Sequence, residues 1–174
     1  EPHTLSPPDA LPSIASTALS GVDVPAKGSK EVESSVKIAN PDLWSPASPK
    51  LYIAVTQITQ NGKVVDTYET TFGIRTIKFD SDIGLLVNGE HVYVKGVCDH
   101  HDLGALGSAV NVRALERQLE ILKSFGVNAI RTSHNPPAPE LLDLADKMGV
   151  LILDESFDAW LSSKKKNDYS TLFK

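Results

Sequence analysis

The chain has 174 residues, 41% hydrophobic and 22% charged, which suits a soluble globular protein with one good core or two small ones. The formal charge is −5, from 17 basic against 22 acidic residues, and only Lys164, Lys165 and Lys166 cluster, so no basic face awaits nucleic acid and no stretch reads as a membrane span. A single cysteine, Cys98, excludes an internal disulfide and leaves compartment and localisation open. No basic region followed by an apolar stretch opens the chain, so no signal peptide is expected within it.

Up to about Lys30, prolines 2, 7, 8, 12 and 25 stand among Ser, Ala and Asp, a composition that favours irregular backbone. From Glu31 the pattern changes. KEVESSVKI, KLYIAVTQI and KVVDTYETTF are β-branched, aromatic-containing runs with partial alternation, and Asn61-Gly62 between the last two is a strong hairpin signal. NPDLWSPASP, with three prolines and Trp44, reads as a structured loop with an aromatic anchor. Residues 31 to 79 are thus expected to be antiparallel β, part of an incomplete sandwich, with the chain beginning inside a domain.

A second Asn-Gly, Asn88-Gly89, splits GLLVNGEHVYVKGV into another hairpin whose second arm should lead into a parallel strand. Helical periodicity follows: Leu115, Leu119, Leu122 and Phe125 recur at three or four residues, with Asn111 as N-cap and Gly126 past the end. After the strand VNAIR, Pro139 opens a second helix with Leu141, Leu142, Ala145 and Met148 as its apolar face, and Gly149 closes it before VLIL. This is β-α-β-α-β, the sequence form of a parallel sheet with crossover helices. No repeat of solenoid period is present, and SSKKKNDYSTLFK reads as loop.

Each of these three strands ends in a polar cluster: CDHHD, RTSHN and DESFD. Parallel α/β architectures place their sites just past the C-terminal ends of strands. His100 and His101, flanked by Asp99 and Asp102, have neither the helical i, i+4 spacing nor the His-x-His form of common metal sites. Loop hydrogen bonding, contacts with sugar hydroxyls and a metallohydrolase site all remain open for them. The glycines of GALG supply a tight loop and no phosphate cradle. Arg131 could grip a carboxylate bidentately and keep it ionised, or serve a structural ion pair; His134 lies in a turn fixed by Pro136 and Pro137. Asp154 and Glu155 are neighbours on a strand and point to opposite faces, so they cannot jointly flank one glycosidic bond. Glu155 stays open as a catalytic acid or a support for other groups. Asp158 and Trp160 could line a sugar site, and Trp160 could equally be core.

Taken together, NPDLWSPASPKLY, FGIRTI, LLVNGEHVYVKGVCDHHDLGALGSAV, KSFGVNAIRTSHNPPAPELLDLADKMGVLILDESFDAW and KKKNDYSTLF resemble glycoside hydrolase family 2, the β-galactosidase and β-glucuronidase family. NAIRTSHNP together with GIRTI is the specific signature, and the long DHHDLGALGSAVN form is closest to the bacterial β-galactosidase-like branch. The resemblance implies a mixed β and α/β fold. Residues 1–79 would be the C-terminal part of an immunoglobulin-like β-sandwich with an irregular N-terminal segment, and residues 80–174 the first β-α-β-α-β units of a (β/α)8 TIM barrel. It also implies retaining hydrolysis of terminal β-glycosidic bonds through a glycosyl-enzyme intermediate.

Carried over by position, His100 and His134 match histidines that contact sugar hydroxyls, and Arg131 matches an arginine that supports the nucleophile; nothing carries onto Cys98, Asp99 or His101. Glu155, Asp158 and Trp160 would stand behind the substrate contacts. The family's acid/base Glu follows the fourth barrel strand and its nucleophile the seventh, so no catalytic residue is expected here and this polypeptide alone should be inactive. DESFDAW lacks the Glu-x-His arrangement that supplies a magnesium ligand in β-galactosidases, so no metal or other cofactor is expected from these residues, and magnesium or sodium would concern only the parent. The expected partners are a β-galactoside or related saccharide, and either the remainder of the parent chain or a second copy meeting an open sheet edge. A different class stays in view, a non-catalytic carbohydrate-binding or interaction module.

Overall fold

The computed structural model describes residues 13–156 and 165–166. They fall into two compact units, one ending at Pro41 and one beginning at Asp42. In the first unit, residues 13–41 form no helix or strand. The strand expected over KEVESSVKI is therefore absent. A strand needs a neighbour to satisfy its backbone and cover its apolar face, whereas Val32 and Val36 stay 54% and 48% exposed and nothing described pairs with them.

The second unit opens on the proline loop. Trp44 is its anchor, 1% exposed, and its indole Nε1 donates to Asp146 O at 2.7 Å. Its backbone N–H donates to Ile74 O, its carbonyl accepts from Asn88 Nδ2 at 2.9 Å, and the Arg75 guanidinium lies 4.5 Å from its ring centroid. One aromatic residue, through its backbone and its indole, thus ties a loop, a hairpin and a helix together.

Strands β1 (Tyr52–Gln60) and β2 (Lys63–Phe72) form an antiparallel hairpin turned by Asn61-Gly62, both at positive φ as a tight two-residue turn requires. β3 (Ile77–Asp80), β4 (Gly84–Val87) and β5 (Glu90–His91) form a second antiparallel sheet, and Asn88-Gly89 turns β4 into β5. Neither face of the β1–β2 ribbon is covered by another described sheet.

β6 (Gly96–Asp99), β7 (Ala129–Thr132) and β8 (Leu151–Leu153) form the parallel sheet, in chain order, with α1 (Val112–Ser124) and α2 (Pro139–Met148) as the crossovers. The β-α-β-α-β expectation holds, with three local corrections. β6 begins at Gly96 and not at Val92, because the Asn128 side chain occupies the preceding backbone: its Oδ1 accepts from Lys95 N at 2.7 Å and its Nδ2 donates to Tyr93 O at 2.9 Å. Phe125 is not part of the α1 stripe; it lies past the last helical residue and is 82% exposed. On α2 the buried leucines are Leu141 and Leu144, with Leu142 turned outward.

The caps follow the sequence signals. The Asn111 side chain accepts from Ala114 N at 3.0 Å, Pro139 occupies the first turn of α2, and Gly149 ends that helix at φ 73°. The core joins Leu115 and Leu119 of α1, Leu141, Leu144 and Ala145 of α2, and Ile130 and Val150. Val97 and Ile152 pack against it, so both helices lie on one face of the parallel sheet.

Candidate functional site

Alternation along β7 decides what the other face carries. Ile130 and Thr132 turn toward the helices and are buried, so Arg131 turns away from them, and the register sets it beside Cys98 of β6 and Leu153 of β8. Arg131 sits at the C-terminal end of its strand. Two residues on, the chain leaves β7 through the buried Ser133, whose N–H donates to Asp99 O at 2.9 Å, and the Ser133–His134 peptide bond is cis. The hydrogen bond from Ser133 to Asp99 ties the end of β7 to the end of β6.

The two loops and the end of β8 meet in one cluster. Nε and Nη2 of Arg131 both lie 2.5 Å from Glu155 Oε1, and His134 Nδ1 lies 2.8 Å from Glu155 Oε2. The His100 and His134 rings contact edge to face, with centroids 5.6 Å apart. Arg131 Nη1 reaches Cys98 Sγ at 3.6 Å. His100, Arg131, His134 and Glu155, drawn from three segments, therefore converge at the C-terminal end of the parallel sheet.

Thr132 holds Glu155 in place from behind. Buried in the core side of β7, its Oγ1 accepts from Glu155 N at 3.0 Å, and Oγ1 lies 3.5 Å from Leu153 O, a weak contact at best. Asp154 is exposed, so of the two adjacent acids only Glu155 joins the cluster.

The electrostatics follow from these contacts. The hydrogen bond with His134 and then the Arg131 guanidinium hold the Glu155 carboxyl below its usual range, so it is ionised at neutral pH. Arg131 in turn is held more firmly protonated by Cys98 and Glu155, and contact with Arg131 draws the Cys98 thiol below the ordinary thiol value. Asp99 goes the other way: burial and the nearby Asp102 carboxylate raise it.

The second histidine of the pair has a separate role. His101 Nε2 bonds Ser108 O at 3.1 Å, closing the loop around a 3-10 turn at Gly104–Leu106, which both Gly104 and Gly107 enter or leave at positive φ. A cleft beneath this loop is lined by Asp99, His100, His101 and Asp102 together with Leu115 and Leu141 from the helices; Arg131 does not line it, but His100 borders both the cleft and the cluster. Among the described residues no three His, Cys, Asp or Glu side chains converge as a metal site. No described helix is long and apolar enough to cross a membrane. Asp158 and Trp160 lie outside the described residues.

Cys98 and Thr132 were not among the residues that sequence reasoning singled out. Their positions depend on register, which pairs Cys98 with Arg131 and Asp99 with Thr132; a one-residue slip would have reversed both.

Residues 80–171 match the family model described as glycosyl hydrolases family 2, TIM barrel domain, and residues 10–75 match the model glycosyl hydrolases family 2. Among curated relatives, β-galactosidase BoGH2A of Bacteroides ovatus is 48% identical over 162 residues, covering 92% of this chain and 19% of the relative. A putative β-glucuronidase of Formosa agariphila is 45% identical over 134 residues, 77% of this chain and 13% of the relative. A crystal structure of a family 2 glycosyl hydrolase from Bacteroides cellulosilyticus superposes with a TM-score of 0.74 at 42% identity, over 79% of this chain and 18% of that one. The chain thus spans less than a fifth of the length of each of these three.

Proposed function

This chain belongs to glycosyl hydrolase family 2, and from that premise we propose that it is part of a retaining β-glycosidase, β-galactosidase-like, that cleaves terminal β-glycosidic bonds. In this reading residues 1–79 are the later part of an immunoglobulin-like sandwich, and residues 80–174 open a (β/α)8 barrel. The two matched stretches, which meet between residues 75 and 80, support that division. The saccharide is a β-galactoside or a close relative of one, a choice supported by the name of the Bacteroides ovatus relative.

The observation that carries the proposal is the meeting of His100, Arg131 and His134 past the ends of parallel strands, on the sheet face that the helices leave free. In a closed barrel that face is the interior, and its C-terminal rim is where such enzymes do chemistry. His100 and His134 are the contacts for sugar hydroxyls, since imidazole both donates and accepts. Arg131 spends Nε and Nη2 on Glu155, and the only described partner of Nη1 is the weakly bonding Cys98 thiol. That leaves Nη1 free to support a second carboxylate, the nucleophile, and to keep it ionised.

Glu155 itself fits neither catalytic part. A general acid in a glycosidase needs a raised pKa, and this carboxyl is lowered. Both of its oxygens are already taken, one by Arg131 and one by His134. The acid/base and the nucleophile are therefore assigned to other parts of the full-length protein, and the 174 residues alone should be inactive.

Steady-state hydrolysis of p-nitrophenyl β-galactoside tests this. The full-length protein should release the β-anomer first, as followed by proton NMR, and Arg131→Met should lower kcat/KM by roughly a hundredfold or more, the scale for losing one preorganised charge-stabilising donor. Inversion, or an Arg131→Met variant as active as the parent, would overturn the proposal.

A further inference from the structure

His134 Nδ1 has two neighbours and can serve one. Glu155 Oε2 lies 2.8 Å away and Arg131 Nη2 lies 3.5 Å away. Arginine can only donate, and an ionised carboxylate can only accept. Accepting from Arg131 would require a bare Nδ1 lone pair, which would then face a carboxylate oxygen at hydrogen-bonding distance with no proton between them. The shorter contact decides: Nδ1 carries a hydrogen and donates it to Glu155, and the 3.5 Å contact with Arg131 is proximity and not a hydrogen bond.

We propose that Glu155 is a positioning residue that holds the hydrogen of His134 on Nδ1, so that Nε2 presents a lone pair to the ligand and accepts a hydrogen bond from one sugar hydroxyl. The inference rests on the saccharide-site reading above. Two further observations and one general rule agree with it. Nε2 of His134 has no hydrogen-bond partner among the described residues, and the ring is exposed. Glu155 is itself immobilised, by Arg131 on its side chain and by Thr132 Oγ1 on its backbone. A histidine whose one nitrogen is committed to a carboxylate has its other nitrogen's role set by that bond. An imidazole free of this restraint would prefer the opposite tautomer and offer Nε2–H as a donor. Glu155 therefore determines which way the hydrogen bond to the sugar runs, and with it which hydroxyl replacements the site tolerates.

Fluorine distinguishes the two directions, because it cannot donate. The test is calorimetric binding, at neutral pH, of isopropyl thio-β-galactoside and its monodeoxy and monodeoxyfluoro analogues to the full-length protein, to Glu155→Ala, to Glu155→Gln and to His134→Phe. For the parent, one hydroxyl position should lose about tenfold in affinity equally on replacement by hydrogen and by fluorine, the scale of one hydrogen bond to a committed partner. In His134→Phe that position should become insensitive to either replacement. In Glu155→Ala the fluoro analogue should regain affinity over the deoxy analogue, as the ring turns to the donor tautomer. Glu155→Gln, whose amide oxygen can still accept from Nδ1–H, should fall between the two. A fluoro analogue that binds like the unmodified sugar at every deoxy-sensitive position of the parent would overturn the tautomer assignment while leaving the saccharide site intact. A pattern unchanged in Glu155→Ala would overturn the role of Glu155. Absence of affinity for the whole panel would overturn the saccharide reading and this inference with it.

Discussion

Two carboxyl groups at the ends of the parallel strands are shifted in opposite directions, and the difference is a prediction about acid stability. Glu155 is lowered by His134 and Arg131 from an ordinary value of 4.5. Its pairing therefore stabilises the folded state fully above the unfolded value, and that contribution disappears as pH falls below 4.5 through the lowered folded value. Asp99 is raised from 3.8 by burial and by Asp102. Its ionisation therefore costs stability at neutral pH, and that cost vanishes as pH falls through the raised value toward 3.8. Thermal unfolding of the full-length protein across this range should show Glu155→Gln below the parent at neutral pH and Asp99→Asn above it. Both differences should shrink to nothing in acid, from opposite sides. Two differences that keep the same sign, or that persist below the unfolded values, would contradict the assigned causes. The sequence placed His100, Arg131, His134 and Glu155 at strand ends, since each stands just past a short apolar run. It could not reveal that Arg131 also meets Cys98, because that contact depends on the pairing of two strands more than thirty residues apart in sequence.

At the level of elements, the legible features are those that a few neighbouring residues decide. Asn111 and Gly126 bracket α1, Pro139 and Gly149 bracket α2, and Asn61-Gly62 and Asn88-Gly89 turn the hairpins, each for a reason internal to the local backbone. Illegible features are those that depend on a distant partner. KEVESSVKI has the residues of a strand and no strand among the described residues to pair with, and VYVKGV keeps only Gly96 and Val97 in β6, its preceding backbone being bonded by the side chain of Asn128. The apolar face of α2 was available in the pattern Leu141, Leu144, Ala145, Met148, a helical i, i+3, i+4, i+7 set that choosing Leu142 misses. The two terminal glycines separate local from long-range demands in one experiment. Gly126 and Gly149 share a left-handed φ, 83° and 73°, which costs an alanine about 1–2 kcal/mol. A Cβ on Gly126 meets nothing within 4 Å, whereas one on Gly149 would lie 2.5 Å from the Pro46 carbonyl oxygen, in the loop that Trp44 anchors. Gly149→Ala should therefore destabilise by about 1–3 kcal/mol more than Gly126→Ala, the overpacking penalty added to the backbone term. Hydrogen exchange of the α2 amides should register the excess, and equal costs at the two positions would mean that the Pro46 loop yields freely.

The whole molecule exposes apolar surface that its own described residues do not cover. On the β1–β2 ribbon, Ile53, Val55, Ile58, Val64, Val65 and Tyr68 are all exposed. Val55 and Ile58 are three residues apart along β1 and so lie on opposite faces, which means that both sides of the ribbon are built for contact. A two-stranded ribbon is marginal in water without cover. The parallel sheet has the same need on the face opposite α1 and α2, where Leu153 is exposed, and its outer strands β6 and β8 each keep one edge that no described strand pairs with. Cover can come from the rest of a longer polypeptide or from a second copy, and the two sources differ in concentration dependence. Sedimentation velocity on the 174-residue chain alone should show a weight-average mass that rises with concentration. Paired substitution of Ile53 and Val55 by lysine, on one face of β1, should lower that rise without abolishing it, because the opposite face and the parallel edges remain. The full-length protein should show no such dependence at its ribbon, where cover from its own chain would leave the same lysine pair acting as a buried defect that lowers Tm instead of association. A 174-residue chain that stays monomeric over a hundredfold range of concentration would mean that these faces need no cover, and would count against both the sandwich and the barrel as the setting of the site.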